Sequence, residues 1–118
     1  MLPDAERDAL MLLGHFFLRQ QQSERALTVF AALEVLEPER VEHARCSAVA
    51  ALSSGRAERA LAALDRIALA GRIDPTFHLV RALALGALER SDDAQLAMRA
   101  WVDSRVELSS GAAMERAA

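Results

Sequence analysis

The sequence predicts an all-α fold of six helices arranged as three helix-turn-helix pairs, and three observations predict it. Alanine (25 residues) and leucine (18) dominate the 118 positions, while glycine (5) and proline (3) are scarce, a composition that favours helix throughout. Tyrosine, lysine and asparagine are absent, and β-branched and aromatic residues are too sparse to furnish a sandwich or barrel. Breakers recur at intervals that leave six stretches of helical length.

The first helix opens at Pro3 and Asp4, where proline's missing N–H costs nothing and the carboxylate meets the positive end of the dipole. It is predicted to reach about Gln20, with Leu10, Leu13, Gly14 and Phe17 on one face. Gln20-Gln21-Gln22-Ser23 is a polar break, and Ser23 is placed to cap a second helix from Glu24 to Glu37, stopped by Pro38. A third helix spans about Glu39 to Ser53 and ends at Ser54-Gly55. The fourth runs from Ala57 to Ala70 before Gly71. Pro75 opens the fifth, which extends to about Glu89, and Ser91 caps a sixth from Asp92 to about Leu108. Residues 109–118 are small and polar without apolar periodicity and are expected to form a disordered tail. The domain is thus expected over 1–108, with repeats at about 7–38, 41–74 and 78–108.

Ala26, Ala60 and Ala97 fall 34 and 37 residues apart, and four residues after each comes a large apolar residue, Phe30, Leu64 or Trp101. A small residue at the first position lets paired helices approach, and the bulky one fills the groove beyond. The longer second interval predicts a three-residue insertion around Ala70-Gly71-Arg72. Helix pairs at a period of 34 resemble the tetratricopeptide repeat. The first unit carries Leu10, Leu13, Gly14, Phe17, Ala26, Phe30, Leu33 and Pro38. The second keeps Gly55, Ala60, Leu64 and Ile67 but has Ala44, Ser47, Ala48 and Ala51 in its first helix. The third keeps Leu88, Ala97 and Trp101, with Ser104 where an apolar residue is expected. The resemblance implies a short right-handed superhelical solenoid.

In such a stack, first-helix residues not used within the pair line a concave surface. In helix one these are Asp8, Met11, His15, Leu18 and Arg19; in helix three, Glu42, Arg45, Val49 and Leu52; in helix five, Leu79, Ala82, Gly86 and Glu89. The centre of this groove is apolar and its rim charged. Apolar patches of several hundred Å² are uncommon on monomers, so a partner's segment, the chain's own tail or self-association is expected to cover it. Arg45 is either a rim contact to an acidic partner or a solvated mate of Glu42.

Nothing in the sequence points to catalysis. His15, His43 and His78 are dispersed over three helices, and His43 with Cys46 is an i, i+3 pair without further ligands, so no metal or other cofactor is expected. Asp92 and Asp93 suit a helix's first turn. Met11, Met98 and Cys46 read as packing residues. The sequence holds no glycine-rich phosphate loop and no G-x-S-x-G elbow. A net charge of −3 and a pI near 5.6 advertise no nucleic-acid partner. One cysteine requires no oxidising compartment, the acidic N-terminal segment is unlike a secretory signal, and no apolar run spans a bilayer. A soluble, cytoplasmic protein is expected.

A closer resemblance rests on Leu10-Met11-Leu12-Leu13-Gly14, Ser23-Glu24-Arg25-Ala26, Leu36-Glu37-Pro38-Glu39 and Arg45-Cys46. It continues weakly through Ala51-Leu52, the segment from Ala97 to Trp101 and Val106-Glu107-Leu108. Over roughly residues 8 to 108 the chain resembles the Y-component chaperones of bacterial type III secretion (the SctY/YscY family). The resemblance implies a protein that binds and stabilises the X component, a small early-exported substrate. It further implies a heteromer that acts at the cytoplasmic ring of the export gate, recruited to the inner-membrane export apparatus without inserting into the membrane. The needle-subunit chaperone of the same systems and a self-associating helical-repeat adaptor are the alternative expectations.

Overall fold

A computed structural model describes the backbone of residues 2–117 and the side chains of residues 2–111. Six helices follow one another: α1 (Asp4–Arg19), α2 (Ser23–Leu36), α3 (Val41–Ser53), α4 (Ala57–Leu69), α5 (Pro75–Ala87) and α6 (Ser91–Ala117). No strand occurs among the described residues. Each helix packs on the next, and α3 also touches α5, so the chain is three helical hairpins in series. The radius of gyration is 15.6 Å, above the roughly 13.5 Å of a compact domain of this length; the long α6 contributes to the difference.

The turns inside the hairpins set the period. Gln21, Gly55 and Glu89 all adopt positive φ (58°, 78° and 60°) and stand 34 residues apart. Around each the same main-chain bonds recur. The amide of Gln22 donates to the carbonyl of Phe17 (2.8 Å), that of Arg56 to Ala51 (2.8 Å) and that of Arg90 to Leu85 (2.9 Å). The following helices begin at Ser23, Ala57 and Ser91, again 34 apart, and α3 and α5 begin at Val41 and Pro75 with the same interval. The expected three-residue insertion is therefore absent. The chain between α4 and α5 is longer by one residue than that between α2 and α3, and α4 is shorter by one.

This spacing corrects the alignment of the third repeat. Ala94, not Ala97, is the counterpart of Ala26 and Ala60: the amides of all three donate to the carbonyl four residues back, across the helix start. Met98 then matches Phe30 and Leu64, and Trp101 matches Leu33 and Ile67. Trp101, in the slot where a buried bulky residue is expected, is half-buried.

Helix starts also differ in their chemistry from the expected caps. Ser23 lies inside α2 as its first residue, and Gln22 before it gives no side-chain cap; Ser91 is likewise the first residue of α6. The bonds of the positive-φ turns instead close the ends of the preceding helices, where the amides of Gln22 and Arg90 donate back to the carbonyls of Phe17 and Leu85. The cap that does form is at α5, where the Asp74 carboxylate accepts from the amide of Phe77 (2.9 Å) with Pro75 following. α6 continues past Leu108 to Ala117, where a disordered tail was expected. Ala118 and the side chains of 112–118 lie outside the described residues.

The core runs through the hairpins as three connected clusters. Ala26, Leu27, Phe30 and Leu33 of α2 meet Ala50 and Ala51 of α3; Ala63, Leu64 and Ile67 of α4 meet Ala44 and Ala48 of α3 and Phe77 and Val80 of α5; Ala82 and Leu85 of α5 meet Ala97 of α6. Gly14 shows why the first hairpin closes so tightly. A Cβ built there would stand 2.5 Å from the ring of Phe30, so only glycine admits that ring. Its counterparts 34 and 68 residues on are Ala48 and Ala82, both buried.

Candidate functional site

With the period fixed, each groove position becomes a row across α1, α3 and α5. Met11, Arg45 and Leu79 form one row; His15, Val49 and Leu83 a second; Leu18, Leu52 and Gly86 a third. Met11, Leu18, Leu52 and Val49 are half-buried, and they lean on the core clusters beneath them while keeping one side open. Leu79 is half-buried, His15 and Arg19 are exposed, and the ring of His15 stands edge-on to Phe30 with centroids 5.4 Å apart.

Ala82 does not belong to the groove. It occupies the Gly14 position at 5% exposure, against Leu85 and Ala97, and offers a partner no surface. The residue that sequence reasoning missed is its neighbour Leu83, 51% exposed, in the row of His15 and Val49. Its signal was the strict interval of 34, which the expected insertion obscured. Arg45 pairs with Asp74 rather than with Glu42: its guanidinium stands 3.0 Å from the Asp74 carboxylate, tying α3 to the start of α5 at the rim.

A buried polar centre, also unforeseen, fixes how α1, α2 and α3 meet. Glu37 ends α2 at 2% exposure, next to Pro38. Its carboxylate accepts from Nε of Arg7 on α1 (2.7 Å) and from Nη2 of the same guanidinium, and from Nε2 of His43 on α3 (3.0 Å). Arg40 lies 3.5 Å away. The hydrogen bonds from Arg7 hold the Glu37 carboxyl down from 4.5 to about 2, against burial, with His43 and the charges of Arg7 and Arg40 assisting. The same contacts push Arg7 further up, so it stays charged at any accessible pH. Nδ1 of His43 is buried with no partner among the described residues. This centre is a structural tie, and it fixes α1 against α3, the helices that carry Met11 and Arg45 of the first row.

Among the described residues, no group of three or more His, Cys, Asp or Glu could hold a metal ion. Cys46 is half-buried, and burial pushes its thiol up, which makes it a poor nucleophile. No described helix is long and apolar enough to cross a membrane. What the geometry can do is hold an apolar segment along the three rows, flanked by charge.

Fold and groove together define an all-helical chain of three helix hairpins, with a partly apolar surface across α1, α3 and α5 and no metal-holding cluster of His, Cys, Asp or Glu among the described residues. No protein-family model matches the chain, and no curated protein matches it.

Proposed function

We propose that this chain is a protein-binding chaperone of the type III secretion Y class, a binding module rather than an enzyme. It holds a small secreted partner, the X component, in the groove of its repeats and delivers it to the cytoplasmic ring of the export gate. The observation that carries a binding role is the row of Leu83 with Val49 and His15. Leu83 is half exposed in line with the half-buried Val49, and a contiguous apolar patch, unlike a single exposed side chain, marks an interaction site. Met11, Leu18, Leu52 and Leu79 extend that apolar surface on both sides. The identity of the partner rests on the resemblance carried by Leu10 to Gly14, Leu36 to Glu39 and Arg45-Cys46. Such a protein works in the bacterial cytoplasm.

Co-expression with a candidate X component, a small secreted-type protein, tests this reading. The two should co-purify, and Leu83→Glu should abolish capture while leaving helix content intact, because a carboxylate forced against an apolar partner costs roughly 2–5 kcal/mol. Full capture by both Leu83→Glu and Val49→Glu would contradict the groove.

A further inference from the structure

The face of α1 carrying Ala9, Leu12, Leu13 and Phe16 has a fixed use in the other repeats. Its counterparts are His43, Cys46, Ser47 and Ala50 on α3 and Phe77, Val80, Arg81 and Ala84 on α5. His43, Ser47, Ala50, Phe77, Val80 and Ala84 are all buried, turned toward the preceding hairpin. His43 reaches Glu37 at the end of α2, Ala50 packs in one cluster with Ala26 and Phe30, and Phe77 and Val80 pack on Leu64 and Ile67. On α1 the same face is bare. Leu12 is 72% exposed, Phe16 53% and Leu13 41%, and Ala9 is exposed beside them.

We propose that a second copy of this chain docks on this face, its α1 antiparallel to the first. Antiparallel is the direction in which α2 already covers the matching face of α3. Charge selects the same arrangement. Asp4, Glu6 and Asp8 lie in the first half of α1, where the one base, Arg7, is taken up by Asp4 and Glu37, and Arg19 lies in the second half, so antiparallel copies set the free acids against the base.

Asp8 and Arg19 are eleven residues apart, about three turns, and therefore share one flank of the apolar stripe. A two-fold relation between antiparallel helices keeps that flank against itself. An axis near Leu13 then brings each Asp8 within about one residue's rise of Arg19 on the other copy, twice per dimer. Neither residue forms an ion pair within the described chain. The same axis sets Phe16 over the small Ala9. One helix face buries less than the roughly 800 Å² per partner of a standard complex, so the dimer dissociates on dilution. Because the contact is isologous, it closes at two copies.

Sedimentation equilibrium of the full chain over a wide concentration range tests this. A monomer–dimer equilibrium is expected, weakened about tenfold or more by the pair Leu12→Glu and Phe16→Glu, with circular dichroism confirming retained helix. Asp8→Arg and Arg19→Asp should each weaken it and together restore it. Leu13→Cys in a Cys46→Ala background should form a covalent dimer on mild oxidation. A monomer at every concentration, including one whose α1 face instead captures the secreted partner, overturns the proposal. So do open-ended polymers, a dimer indifferent to the charge exchange, and a dimer that fails to cross-link.

Discussion

Phe30, Leu64 and Met98 occupy one position of the repeat, yet the first two are 0% and 2% exposed while Met98 is 37% exposed. The helices that carry them start from the same positive-φ turn, with the same main-chain bonds. The difference lies in the neighbour. Phe30 sits over Gly14 and is covered by Ala50 and Ala51 of α3, and Leu64 is covered by Phe77 and Val80 of α5, whereas no helix among the described residues follows α6. In a stacked array burial is conferred by the next unit, so equal positions carry unequal energies.

The largest expected effect measures that inequality. Phe30→Ala should destabilise by about 3–5 kcal/mol and Leu64→Ala by about 2–5 kcal/mol, while Met98→Ala should cost less than about 1 kcal/mol. Equal losses at Phe30 and Met98 in denaturant melts would break the comparison.

The second contrast sets the Glu37 centre of the first repeat junction against the second junction, where Arg72 follows Gly71 in the equivalent stretch. Glu37 has a folded value of about 2 and an ordinary one of 4.5. A depressed carboxyl stabilises the fold above its unfolded value, and that contribution is lost as pH falls from about 4.5 toward 2. The stability difference between the native chain and Glu37→Gln should therefore shrink across that window. A difference that stays constant from neutral pH to pH 3 would deny the tie.

The smallest effects concern the turns. Gly55 takes φ 78° without strain, whereas Gln21 and Glu89 hold positive φ at the equivalent sites. A left-handed L-residue costs roughly 1–2 kcal/mol, partly offset by glycine's greater freedom when unfolded. Gln21→Gly and Glu89→Gly should each raise stability by about 0.5–1 kcal/mol, and Gly55→Ala should lower it by a similar amount. Thermal melts of the three variants sharpen the claim that these are one turn used three times.

Most of the architecture was legible in the sequence because helix boundaries follow local chemistry: Pro3 with Asp4, Pro38, Gly55, Gly71 and Pro75 all mark ends that the fold respects. The register of the third repeat was not. Ala94 and Ala97 lie one turn apart on the same side of α6, so a pattern built on alanine followed by a bulky residue fits either, and Trp101 drew it to the wrong one. The turn at Glu89 would have decided the matter, but nothing local marks a glutamate for positive φ. The groove suffered the same three-residue slip: an interval of 37 pairs Arg45 with the buried Ala82 and Val49 with Gly86, where the interval of 34 pairs them with Leu79 and the open Leu83. The Arg7–Glu37–His43 centre was invisible for another reason: Arg7 and Glu37 are 30 residues apart and meet only once α1 has folded back on α2.

The central claim is that three units of 34 residues place Ala82 inside the last hairpin and Leu83 in the groove. The melting temperatures of Ala82→Leu and Leu83→Glu test it most directly. Overpacking against Leu85 and Ala97 should cost Ala82→Leu about 1–3 kcal/mol, a fall of several degrees for a chain of this size, while Leu83→Glu should stay within about 0.5 kcal/mol of the native chain. A tolerated leucine at 82 together with a damaging glutamate at 83 would contradict the account.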